Sequence, residues 1–226
     1  MKRRTILFDL DGTLIDTTEL ILHCFDLSWG TIYGKKLDRQ CYLATIGIPL
    51  REAMRILLNE EIRSSVESEI SSEDPRVEAL VQEYRACNTI HHDQMAKPFS
   101  GVSSTVSELR KRGYQIGVVS SKTRELGLRG LNLCALQDLI DDAVFLEDSL
   151  RHKPHPEPLL LALYRFGISE KQAAYVGDSR HDMQAGKAAG MSTVAALWGP
   201  IPRKELEQEK PDHLAATPSQ LLKIFP

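Results

Sequence analysis

Short apolar runs, several rich in β-branched residues, recur at 5–8, 116–120, 143–145, 173–176 and 193–196, and helical periodicity fills the intervals between the later ones. This alternation predicts an α/β fold: a doubly wound parallel sheet with helices on both faces. Val102, Val106 and Leu109 repeat at helical spacing over 102–112, and Gly113 ends that helix ahead of a strand over 115–120. The segment from 16 to 97 reads differently. Leu20, Ile21, Cys24, Phe25 and Leu27 mark one amphipathic helix, Ala53, Met54, Leu57 and Leu58 a second, and VEALVQEYRACN at 77–88 a third, with no convincing strand among them. The pattern predicts an α/β core from 1–15 and 98–226, with a helical insertion over 16–97 hinged near 16–18 and 96–100. The biased stretch RSSVESEISSEDPR at 63–76 reads as a solvated turn between insertion helices.

Composition narrows the range of partners. With 226 residues, 42% of them hydrophobic, the chain has enough apolar content for a large core and a modest insertion. A formal net charge of -3, from 28 basic and 31 acidic residues, offers no broad positive field for nucleic acid or an anionic membrane. A small-molecule partner is expected, and the chain is read as a monomer or homodimer. Cys24, Cys41, Cys87 and Cys134 show no paired ligand spacing, which points to free thiols in a reducing, cytoplasmic compartment. Lys2, Arg3 and Arg4 precede an apolar run that Asp9 and Asp11 interrupt too early for a secretory leader. No segment approaches the ~18 apolar residues of a membrane span.

In an open parallel sheet, ligands sit beyond the carboxyl ends of the strands. Four such ends carry candidate chemistry here. The run ILFDLDGTLIDTT at 6–18 drives an apolar strand into Asp9 and Asp11; Ser120, Ser121 and Lys122 follow the strand at 116–120; Lys153 lies in HKPHPEP; and AAYVGDSRHD supplies Asp178 and Asp182. Carboxylates at the end of a core strand are costly without a partner.

This set, DLDGT, a strand-end Ser, KP and GDxxxD in that order, resembles the haloacid dehalogenase-like superfamily of phosphohydrolases, whose core the match spans essentially throughout. The insertion resembles the helical cap that some members carry after the first motif. The resemblance implies that Asp9 is the nucleophile, forming an aspartyl-phosphate that divides a slow hydrolysis into two transfers. Two residues on in an extended chain, Asp11 falls on the same side and serves as acid, then base. Gly12 lets the backbone turn sharply beside the phosphate, and Thr13 holds that turn. Asp9, Asp11 and Asp178 around a phosphate repel one another by about 4 kcal/mol per pair at 4 Å and an effective dielectric of 20, so a cation is required. Hard oxygen donors favour Mg²⁺ over zinc, and no His/Cys cluster competes in the sequence. The resemblance assigns the metal to Asp9, the Asp11 backbone carbonyl and Asp178, with Asp182 as a further or indirect ligand. Lys153 and Ser120 are expected to stabilise the transferring phosphoryl oxygens, with Ser121 nearby.

Other residues read more plainly. Lys122 is expected to be solvated, and the HHD run at 91–93 to be an exposed helix end. His152, His155 and His181 flank motifs without being assigned to substrate, and Cys24 and Cys41 are expected to fill the insertion core. In ATIGIPLREAM, Gly47 forms a cap loop that dips toward the site with Arg51 facing substrate, or else a helix-start turn with a solvated arginine. Ser100 stands where the family often has proline at the cap's return, which bears on hinge stiffness. The length and the motif context resemble phosphoglycolate phosphatases and the related capped pyrophosphatases. The expectation is therefore a Mg²⁺-dependent phosphatase for a small phosphorylated metabolite of the phosphoglycolate type. Pyrophosphate hydrolysis, a sugar phosphomutase and a non-catalytic binding module are the alternatives. A dehalogenase is disfavoured because Asp11 is present.

Overall fold

The computed structural model describes residues 5–62 and 70–226. The basic N-terminus and positions 63–69 of the expected turn lie outside them. Six strands form one parallel sheet: β1 (Thr5–Phe8), β4 (Gln115–Val119), β5 (Asp142–Val144), β6 (Ala173–Gly177), β7 (Ser192–Ala196) and β8 (His213–Ala215), in the order β5-β4-β1-β6-β7-β8. The chain starts in the middle of the sheet and winds outward in both directions, so the order reverses between β1 and β6. Ile6, Leu7 and Phe8 are all buried, as expected of a central strand covered on both faces. Each such side chain contributes about 1.5–3 kcal/mol by leaving water. Helices α5 (Val102–Lys111), α6 (Arg124–Leu133), α7 (Glu157–Phe166), α8 (Arg180–Ala188), α9 (Arg203–Gln208) and α10 (Leu221–Ile224) complete the core.

Between β1 and β4 the chain forms α1 (Thr18–Tyr33), α2 (Arg39–Leu43), α3 (Leu50–Ile62) and α4 (Pro75–Met95). These helices enclose their own apolar cluster around Phe25, Trp29, Tyr42, Leu57 and Leu80. Phe25 stacks on Tyr42 with ring centroids 5.0 Å apart. The insertion leaves and rejoins the core side by side, because β2 (Ile15–Asp16) pairs antiparallel with β3 (Lys97–Pro98). This two-stranded neck, which the sequence did not show, lies beside the edges read as hinges. Two residues on each side are too short to show a strand period. The same reason hides α2 and β8, of five and three residues.

Candidate active site

Asp9 sits at the point where the sheet order reverses. Its backbone N–H donates to Val176 O at 2.9 Å, so the β1–β6 ladder extends one residue past the strand and fixes the carboxylate at the sheet's edge. Lys153 meets it there, with Nζ 2.8 Å from Asp9 Oδ1 and 2.7 Å from Asp182 Oδ1. Tyr175 Oη at 3.1 Å and Val119 O at 3.5 Å complete its surroundings, so all three ammonium donors are engaged. All four side chains are buried.

Asp182 is held from both sides. Its Oδ2 accepts from the Ser179 backbone N–H at 3.0 Å and the Ser179 hydroxyl at 2.6 Å, and Ser179 caps α8 in return by accepting from the Asp182 N–H. The S-x-x-D spacing at 179–182 is a capping box, so one local motif both starts the helix and aims the carboxylate at Lys153. Asp182 therefore has both oxygens engaged, one with the lysine and one with the cap.

Asp178 has the opposite character. Its Oδ1 accepts from the Thr13 hydroxyl at 2.8 Å, while its buried Oδ2 has no hydrogen-bond partner. The expectation that the Thr13 hydroxyl holds its own turn is corrected, because the residue is fully buried and its hydroxyl orients Asp178 instead. Gly12 is required beside it: its φ is +81°, and a Cβ there would lie 2.3 Å from Asp178 Oδ2.

One ligand oxygen from each of Asp9, Asp178 and Asp182 lies within 4.8 Å of the others. Three carboxylates against one ammonium leave two uncompensated negative charges in a buried site. The electrostatics register that excess. Burial pushes the Asp9 carboxyl up to about 7 despite Lys153, and burial together with Asp182 and Asp9 lifts Asp178 well above the carboxylate range. For Asp182 burial works the same way, but Lys153 and the Ser179 hydrogen bonds outweigh it and hold the group low. The orphaned Asp178 oxygen, the charge deficit and the all-oxygen donor set fit a hard divalent cation.

Asp11 lies on the cleft side of this cluster, with Oδ1 accepting from Thr17 Oγ1 at 2.6 Å and from Lys122 Nζ at 2.7 Å. Burial opposes its ionisation, yet Lys122 and the Thr17 hydrogen bond hold its pKa below the usual value. Lys122 is thus not the solvated residue expected. Its side chain is 11% exposed, and the loop after β4 folds it onto the loop after β1, a juxtaposition that no local pattern encodes. Ser120 is buried, with its N–H on Val144 O and its hydroxyl oxygen accepting from the Lys122 N–H. Ser121 lines the cleft beside it. It donates its hydroxyl to Gly47 O at 2.8 Å and so latches the cap loop to the core. Arg180 reinforces the latch at Ala44 O, and a Cβ on Gly47 would lie 2.6 Å from Ser179 Oγ.

Between cap and core lies a cleft of ≈ 720 Å³. Asp9, Asp11, Ser120, Lys122 and Lys153 line its floor, and Gly47, Arg51, Tyr84, Arg85 and Asn88 line the cap side. Arg51 borders the cleft, but its guanidinium pairs with Glu78 and donates to Ser72 O. Asn88, which the sequence did not mark, is buried on the cleft wall with its Oδ1 unpartnered. Only its place on the inward face of the third predicted helix hinted at a role.

The remaining histidines and cysteines divide. His152 and His181 line the cleft, whereas His155 contacts Arg151 instead. The run at 91–93 is not simply an exposed helix end, because His92 is fully buried, with Nδ1 2.9 Å from Asp93 Oδ1. Cys24 packs in the cap core and Cys41 at its edge. Apart from the acidic cluster, His23, Cys87 and His91 converge in space on the cap.

The sequence pattern of haloacid dehalogenase-like hydrolases matches residues 6–196. Pyrophosphatase PpaX of Bacillus cereus strain AH820 is 38% identical over 225 residues, covering 100% of this chain and 97% of its own length. A Bacteroides fragilis protein described as a haloacid dehalogenase-like hydrolase superposes with a TM-score of 0.86 at 30% identity, over 97% of this chain and 100% of that one. A predicted phosphoglycolate phosphatase from Haemophilus somnus 129pt superposes with a TM-score of 0.87 at 22% identity, over 100% and 99% of the two chains, which is a likeness of fold. Among the described residues, no helix is long and apolar enough to cross a membrane.

Proposed function

The chain belongs to the haloacid dehalogenase-like hydrolase family, and from that premise we propose that it is a Mg²⁺-dependent phosphatase acting on a small phosphorylated metabolite. The observation that carries this reading is the buried cluster in which Asp9 and Asp182 share Lys153 while Asp178 keeps an unpartnered oxygen. Asp9, the Asp11 backbone carbonyl and Asp178 would hold the ion, which when bound supplies the missing positive charge and polarises the phosphoryl oxygens. Asp182 acts through Lys153 by fixing its ammonium.

An Asp9 carboxylate oxygen attacks phosphorus as the bond from phosphorus to the leaving oxygen breaks, and Asp11 gives that oxygen a proton. Water then attacks the phosphorus of the acyl-phosphate and loses a proton to Asp11, which returns Asp9 as carboxylate and releases phosphate. Lys122 holds Asp11 ionised in the state described, so it is poised as the base; proton donation requires this pair to loosen as the phosphate's charge arrives. Lys153 and the Ser120 hydroxyl face the transferring oxygens.

The cap confines substrate to compounds that fit the cleft, and its wall offers Asn88 and Arg85 to whatever the phosphoryl group is attached to. A short substrate with a second anionic group suits that lining. Pyrophosphate is the first choice, because the full-length relative at 38% identity carries the name pyrophosphatase. 2-Phosphoglycolate is the second, on the strength of the motif context. The four free thiols suit a reducing, cytoplasmic location.

The test is phosphate release from pyrophosphate, 2-phosphoglycolate, sugar phosphates and p-nitrophenyl phosphate at equal Mg²⁺, with Asp9→Asn alongside. The expected result is the highest kcat/KM on one of the first two and no turnover in the variant. Failure to hydrolyse any phosphorylated compound refutes the proposal.

A further inference from the structure

On the cap, away from the phosphate cleft, α1 and α4 bring together three metal-binding side chains that play no part in the chemistry above. Cys87 and His91 are four residues apart on α4 and so share one face of the helix. His23 of α1 meets them, and one donor atom from each lies within 4.8 Å of the others. The two imidazoles stand edge to face with centroids 4.9 Å apart, and among the described residues neither ring hydrogen-bonds to another group. Beneath them Cys24 Sγ lies against Cys87 Sγ, both as free thiols. None of these four residues lines the cleft.

We propose that His23, Cys87 and His91 bind a thiophilic divalent cation of the Zn²⁺ class. Two imidazoles and a thiolate are borderline-soft donors, unlike the all-oxygen cluster at Asp9, so the two sites select different ions. Tetrahedral coordination, with Zn–N about 2.0–2.1 Å and Zn–S about 2.3 Å, places ligand atoms roughly 3.3–3.6 Å apart. A small rotation of the exposed His23 and half-exposed His91 closes the present spacing, and their exposure gives the ion a path in. On binding, the Cys87 S–H loses its proton to solvent and the sulfur donates an electron pair to the metal, with no change of oxidation state. The Cys24 S–H then hydrogen-bonds to the bound thiolate and orients it. The fourth position is left to water. Because α1 follows the neck strand β2 and α4 precedes β3, the ion ties together the helices that carry the chain into and out of the cap.

The test uses the full chain, kept reduced with a phosphine and saturated with Mg²⁺, titrated with Co²⁺ and then with Zn²⁺ in competition. The expected result is one equivalent of Co²⁺ with a thiolate-to-metal charge-transfer band, displaced by Zn²⁺, and a higher melting temperature with Zn²⁺. In His91→Gln and His23→Gln, whose side chains reach solvent and whose replacement leaves the fold intact, affinity falls at least tenfold and the melting shift disappears. In Asp178→Asn the band persists, which separates this site from the phosphate site. Absence of a thiolate band at stoichiometric Co²⁺, or a band and melting shift unchanged in His91→Gln, overturns the proposal.

Discussion

Replacing Lys153 by Met removes a single buried ammonium shared by two carboxylates, at 2.8 Å from Asp9 and 2.7 Å from Asp182. At an effective dielectric of 20, each attraction is about 6 kcal/mol before desolvation is counted. Desolvation of three buried ions cancels most of that. The measurable consequence of leaving the partners uncompensated is about 3–5 kcal/mol of lost stability. Catalysis loses more than stability, because the same ammonium faces the charge that builds on the phosphoryl group, and the loss of one such donor costs about 10²–10³ in kcat. The two effects separate in the double variant Lys153→Met/Asp182→Asn, which removes one charge of each sign. Urea denaturation should show the double variant recovering more than half of the stability lost by the single one, with turnover of phosphate staying down in both. If Lys153→Met unfolds at the wild-type urea concentration and retains wild-type kcat, the charge reasoning is wrong.

Gly12→Ala places a Cβ 2.3 Å from Asp178 Oδ2 at a φ of +81°; a cost of about 1–3 kcal/mol in stability and a weaker apparent Mg²⁺ affinity are expected, measured by denaturation and by metal titration of activity. Lys122→Met deprives Asp11 of one of its two anchors and should lower kcat by about 10²-fold while the melting temperature moves little, a split that steady-state kinetics and calorimetry resolve. Asp148 tests a structural charge. Burial raises its pKa, but the Phe145 N–H, Arg165 and Arg124 hold it below the ordinary value. Its folded pKa being depressed, it stabilises the protein above the unfolded value near 3.9, and that contribution fades as pH falls through the folded value. Asp148→Asn should therefore melt below the wild type at pH 7, the two converging as the pH drops under about 4.

Much of this site is written locally, and what is not local was missed. The four longer strands, β1, β4, β6 and β7, are largely buried apolar runs inside the sheet, so they announce themselves at nearly their observed limits. Asp9, Asp178 and Lys153 follow from the rule that chemistry gathers where strands end. The S-x-x-D signature at 179–182 also discloses that Asp182 caps a helix, but not that its other oxygen holds Lys153. Lys122 and Thr13 went astray for one reason: each acts on a partner more than 100 residues away, Asp11 and Asp178, through a contact with no periodicity to betray it. His23, Cys87 and His91 were legible only in part. The i, i+4 pair stands in the sequence, but the third ligand depends on how α1 packs along α4.

The central claim is that Asp9 becomes phosphorylated beside a bound divalent ion. Borohydride reduction during turnover, followed by peptide mass spectrometry, reads this directly, because an aspartyl-phosphate is reduced to homoserine. Homoserine at position 9, formed only when Mg²⁺ and substrate are both present, is the expected result; an unmodified Asp9 under conditions of rapid phosphate release contradicts it.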